Sequence, residues 1–140
     1  MAPISQPSHQ REALRIRNEE QLPVYERLGD VRSKAVTQGK IAGILEDRGQ
    51  LDEALRIRKE EELPVYERLG DVRELIVGRV NLAMVLLRRG REEDRPEALE
   101  HLAWAYRAAT ERGYAEAGQI AEILKVFGLP VPEEGQVGDP

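Results

Sequence analysis

Side chains able to do chemistry near neutral pH are few in this 140-residue chain, and their spacing does not assemble a catalyst. There are two histidines, His9 and His101, and no cysteine. The common nucleophile–base constellation places a nucleophile and a base within hydrogen-bond reach of each other, and none appears in this sequence. His9 lies in the first ten residues, and position 105, one helical turn beyond His101, is an alanine rather than a second ligand. No glycine-rich phosphate loop or metal-ligand spacing is present. Without cysteine there is neither a disulfide framework nor a thiolate metal site. The expectation is a chain with no catalytic residue, no metal and no cofactor, and so not an enzyme.

Charge is the chemistry that remains, since 34% of the residues are Asp, Glu, Lys or Arg. In "RIRKEEE", Arg58 can reach Glu61 and Glu62 at i+3 and i+4, and Arg56 can reach Glu60. Arg17–Glu20 and Arg15–Glu19 repeat the arrangement earlier. One reading is a solvated helix face laced with weak pairs, each worth a few tenths of a kcal/mol. The other is a ladder of Arg–Glu contacts between stacked repeats, because Arg58 follows the small Ala54 by one helical turn. The overall balance of −5 speaks against a nucleic-acid partner, which requires a concentrated basic surface.

The elements that carry these charges are stated twice. Glu12 to Arg32 and Glu53 to Arg73 agree at 19 of 21 positions, differing only at Asn18/Lys59 and Gln21/Glu62, with an offset of 41 residues. A fixed period of that size is the mark of stacked supersecondary units. Gly29-Asp30 and Gly70-Asp71 recur at the same offset, as do Gly49 and Gly90. A glycine that ends one helix, followed by an aspartate that caps the next, divides the chain cleanly. The pattern predicts six helices, over about 9–28, 31–48, 51–69, 71–89, 95–112 and 114–127. Links of two or three residues make neighbours antiparallel. Residues 1–8 and 129–140 lack periodicity and read as mobile tails. No apolar run approaches 18 residues and "MAPISQPSHQ" has no signal-peptide character, which predicts a cytoplasmic protein that does not enter a membrane.

Within this frame, helix 71–89 is apolar on nearly every side, through Leu75, Ile76, Val80, Leu82, Ala83, Leu86 and Leu87, and should be sandwiched between neighbours. Gly39 and Gly43 share a face of helix 31–48, each costing about 1 kcal/mol relative to alanine. Close approach of another backbone would compensate, with a ligand groove as the alternative. Pro23 and Pro64 fall inside the repeated helix, where each removes a hydrogen bond and should kink it near Leu22 and Leu63. Trp104 is expected in the core rather than on a recognition surface.

The hairpin stretches "RGQLDEAL" (Arg48–Leu55) and "RGREEDRPEAL" (Arg89–Leu99, three residues longer) resemble the tetratricopeptide repeat, in which an A helix pairs with a B helix. Ala42 and Ala83 match its small A-helix residue, with Ile41/Leu45 and Leu82/Leu86 around them. Ala13, Ala54 and Ala98 match the small residue opening its B helix, and Leu102 and Ala105 fit further along the last. The usual period of about 34 residues is exceeded here, so the resemblance is to a longer-period subclass of about 41–42 residues. It covers roughly 10–128 and implies an all-α fold: a right-handed solenoid with a B helix at 9–28, repeats at 31–69 and 71–112, and a C-terminal cap helix at 114–127.

The same resemblance implies a non-catalytic scaffold that holds a protein, as a peptide or helix, on a concave face lined by A helices. That face would hold Lys40, Gly43, Glu46 and Asp47 in one unit, and Val77, Asn81, Met84 and Arg88 in the next. Asn81 is placed to bond a bound peptide's backbone, or alternatively to cap or bridge helices. The first helix has no A helix before it, which leaves Leu14, Ile16, Leu22, Val24, Tyr25 and Leu28 half covered. Such a patch reads as a self-association surface, so a homo-oligomer, a dimer, is expected. Self-assembly through this helix, or a sensor part of a larger signalling NTPase, are the alternative functions.

Overall fold

The computed structural model describes residues 7–133; of the expected tails at 1–8 and 129–140, residues 1–6 and 134–140 lie outside the described residues, whereas Pro7 and Ser8 open the first helix instead of belonging to a tail. Among the described residues the chain is all helical, with six helices and no strand. Helix α1 covers 7–28, α2 Val31–Asp47, α3 51–69, α4 Val72–Arg89, α5 Arg95–Glu111 and α6 Glu116–Val126. Two compact units divide the chain, Met1–Tyr66 and Glu67–Pro140.

The kink expected at the prolines takes a specific form. In α1 an α-helical stretch Pro7–Arg15 passes into a π turn, Ile16–Gln21, before α-helix resumes at Leu22–Leu28. Helix α3 repeats this as Leu51–Ile57, Arg58–Glu62 and Leu63–Leu69. The Leu22 and Leu63 amides donate five residues back, to the Arg17 and Arg58 carbonyls. Proline has no N–H to continue the ladder, and its ring collides with the carbonyl four residues earlier. Widening the preceding turn by one residue relieves that collision and keeps the helix continuous.

Helix ends follow the repeated Leu-Gly-Asp triplet. Gly29 takes φ +69°, which only glycine adopts without cost, and its N–H donates to the Glu26 carbonyl at 3.1 Å. Asp30 then caps α2, accepting from the Ser33 amide (2.9 Å) and hydroxyl (2.7 Å). Gly70 and Asp71 do the same before α4, Asp71 accepting from the Glu74 amide at 3.2 Å. The three-residue insertion ahead of α5 forms a short 3₁₀ turn, Glu92–Asp94. Its buried Asp94 carboxylate receives two hydrogen bonds from Arg89, each 2.9 Å.

In the first unit the core is Ile41 and Ala42 of α2 against Ala54 and Ile57 of α3, with Leu14 and Leu22 of α1 and Leu45 around them. In the second, α4 packs on α5, and Leu82, Ala83, Leu86, Ala98, Leu102 and Ala105 are buried, as are Ile120 and Leu124 of α6. Val80 and Leu87 are half-buried rather than enclosed.

The compensation expected for Gly39 and Gly43 is different in kind. Among the described residues, the atoms nearest to the space above them belong to charged side chains, not to a neighbouring backbone. Arg58 is 4% exposed, donating to Glu46 of α2 (2.5 Å) and to Glu62 one turn along its own helix (2.9 Å). A Cβ at Gly39 would fall 2.4 Å from a Glu62 carboxylate oxygen, and one at Gly43 would stand 4.0 Å from the Arg58 guanidinium. The glycines make room for ions rather than for a helix crossing.

The charge pairs therefore divide. Arg15 with Glu12, Glu19 and Glu20, and Arg56 with Glu53, Glu60 and Glu61, lie on solvated faces. Arg58 instead joins α2 to α3 within one hairpin. Two expected pairs do not form, since Glu61 lies near Arg56 (3.8 Å) and Arg17 bonds Gln21 (3.3 Å).

Candidate functional site

A cleft of about 190 Å³ opens in the second unit between α4 and α6. Ile76, Val77, Val80 and Asn81 line it from α4, and Glu116, Gln119, Ile120 and Ile123 from α6. Both sets recur at helical spacing, so each helix turns one stripe toward the gap. Its floor is apolar, with Ile76 and Ile120 fully buried, while Val77 remains 40% exposed. Asn81, half-buried, makes no side-chain hydrogen bond to another described residue. The amide thus offers both a donor and an acceptor to whatever enters.

Glu116 is held in place from outside the cleft. Arg73 donates to its two oxygens at 2.8 and 3.1 Å while lying over the Tyr114 ring, 4.5 Å from the centroid. The Glu116 carboxyl sits below its ordinary range, first because of its own backbone N–H at the start of α6 and then because of Arg73. The result is a fixed negative charge beside a neutral amide over an apolar floor. That combination offers a hydrogen-bond donor, acceptors and a paired carboxylate above an apolar surface.

A second cluster of polar side chains lies in the same unit. Arg79 of α4 stacks on Trp104 of α5, 4.4 Å from the centroid, and His101 faces Glu97 at 3.3 Å. Burial depresses the His101 pKa, and Arg79 adds to that, against the opposing hydrogen bond that the ring donates to the Glu97 carboxylate. His101 is therefore neutral near pH 7. Its acidic neighbour stands four positions before it, one turn away on the side opposite to Ala105. Trp104 is half-buried and capped by the guanidinium.

No family model, curated protein or solved structure matches this chain.

Of the residues expected on a concave face, Val77 and Asn81 come together in the cleft. Met84 and Arg88 lie on the exposed continuation of α4, outside its lining. In the first unit Lys40 and Asp47 are exposed, while Gly43 and Glu46 belong to the Arg58 network. Of the expected self-association residues, Leu14 and Leu22 pack toward α2, Ile16 and Tyr25 are half-buried, and Val24 and Leu28 are exposed, Leu28 by 73%. The four α6 residues of the cleft lie outside the expected face, because the resemblance assigns 114–127 only the role of a closing cap helix. Their spacing, 116/119/120/123, is a helical stripe in its own right and could have been found.

Proposed function

We propose that this chain is a non-catalytic protein-interaction module of the tetratricopeptide-like kind, taking a peptide into the cleft between α4 and α6. The observation that carries the reading is the pairing of the unbonded Asn81 amide with an apolar floor in one preformed gap. A site already shaped in this way reduces the ordering cost of binding. The repeat architecture is supported by the small residues at the expected crossings: Ala42, Ala54, Ala83 and Ala98 are all 0% exposed. It is supported also by the duplicated capping triplet and the alternation of helix hairpins.

The test is selection of a random peptide library on the full chain, followed by mapping of an enriched peptide by amide chemical shifts. Shifts centred on Val77, Asn81, Gln119 and Ile123, with at least tenfold weaker binding to Val77→Glu, are expected. Enriched peptides that map elsewhere and ignore Val77→Glu would remove the cleft from the account.

A further inference from the structure

The two near-identical helices of the first unit do not have identical surroundings, and the difference identifies what one of them lacks. On α3, the face made by Ala54, Ile57, Arg58 and Glu62 lies against α2. Ala54 is 0% exposed, Ile57 4% and Arg58 4%. The same face of α1 is Ala13, Ile16, Arg17 and Gln21, one residue different, and each of the four is only half-buried. Helix α1 meets α2 with another side, through Leu14 and Leu22. The Arg17 Nε is buried without a hydrogen-bond partner among the described residues, whereas its twin, the Arg58 Nε, donates to the Glu46 carboxylate.

We infer that the open face of α1 is a docking surface for a partner protein's helix built like α2, one that carries Gly-x-x-x-Gly-x-x-Glu. The interface between α2 and α3 is the template. Gly39 leaves space for the side chain at position 62, Ile41 and Ala42 meet the small and apolar positions, and Glu46 delivers a carboxylate to the arginine. Gln21 has nearly the shape of Glu62, so the incoming helix needs the same glycine. Its neutrality changes the charge balance. The Arg58 charge is balanced by two carboxylates, while among the described residues Arg17 donates only to the neutral Gln21 side-chain oxygen, at 3.3 Å, which leaves its charge for one incoming acid. A guanidinium Nε shielded from water without an acceptor is costly, so a carboxylate aimed at this half-buried arginine supplies specificity as well as attraction. A second copy of this chain is poorly suited, because the complementary face of its α2 is already occupied by its own α3.

The probe is a fluorescein-labelled peptide with the sequence of residues 30–50, titrated by anisotropy into the full chain. Saturable one-to-one binding is expected, weakened at least tenfold by Arg17→Ala in the protein and at least tenfold by Glu46→Gln in the peptide. The two losses should not add, since both remove one contact. A Gly39→Val peptide should fail against the wild-type protein, which keeps the test independent of any folding defect in the Arg17 variant. Absence of binding up to about 1 mM, or binding indifferent to Arg17→Ala and to Glu46→Gln, overturns the proposal. So does a dimer of the chain alone that Arg17→Ala dissociates, which would put a second copy on this face. Val77→Glu, in the separate cleft of the second unit, should leave the titration unchanged, so the two readings fail independently.

Discussion

Gly39 and Gly43 are one turn apart on the same helix and should respond to alanine in opposite directions. At Gly43 a methyl meets only the Arg58 guanidinium at 4.0 Å, ordinary contact, so the gain in helix propensity of about 0.5–1 kcal/mol should appear in full. At Gly39 the methyl would displace a carboxylate pinned by Arg58. Overpacking of about 1–3 kcal/mol outweighs the propensity gain and leaves a net loss of roughly 1 kcal/mol. Urea midpoints of the two variants, one above and one below the wild type, check this; two gains would show that Glu62 moves freely. His101 makes a pH prediction. Its folded pKa lies below the unfolded value of 6.5, so the unfolded chain takes up the proton first. The contribution is therefore complete above about pH 6.5 and is lost as pH falls through the folded pKa. Thermal melts between pH 7 and 5 should fall more steeply for the wild type than for His101→Gln.

At the scale of elements, the same sequence builds the same helix twice, π turn included, because proline and glycine act on the backbone locally. What differs is how firmly each helix is held. Helix α1 has α2 on one side only, and its arginine face is half-buried, while that face of α3 is enclosed. Local opening is governed by buried contacts rather than by propensity, so hydrogen exchange should separate the copies. Amides of residues 17–22 should exchange at least tenfold faster than those of 58–63. Equal protection would mean that the helix alone, not its packing, sets stability here. The six-helix pattern was legible because its signals are local: the Leu-Gly-Asp triplets, the inserted residues, and the apolar stripe of α4. The π turns were not, since a proline announces a disturbed helix without saying whether it bends or widens.

For the whole molecule, the mass in solution is the coarse measurement that matters. Light scattering across a concentration series should return 15.8 kDa throughout, because α1 seeks a helix of the α2 kind and no copy has one to spare. A mass that rises with concentration would instead favour the homodimer. The candidate cleft was half visible beforehand. Val77 and Asn81 lie at positions that the tetratricopeptide resemblance expects on an exposed face, but the α6 wall depends on how a terminal helix rotates about its axis. That rotation follows from the burial of Ile120 and Leu124 together, which local spacing constrains only loosely.

By itself the amino-acid sequence determined where helices start, stop and deform, because caps, positive-φ glycines and prolines act within a few residues of themselves. Tertiary structure alone decided what each helix face meets. Arg17 and Arg58 sit in nearly the same words, IRNEEQ and IRKEEE, yet one is half-exposed with an idle donor and the other is buried between two carboxylates. The reason is physical: a side chain's burial and partners are properties of the neighbouring helix, and α3 has α2 against its arginine face while α1 has not.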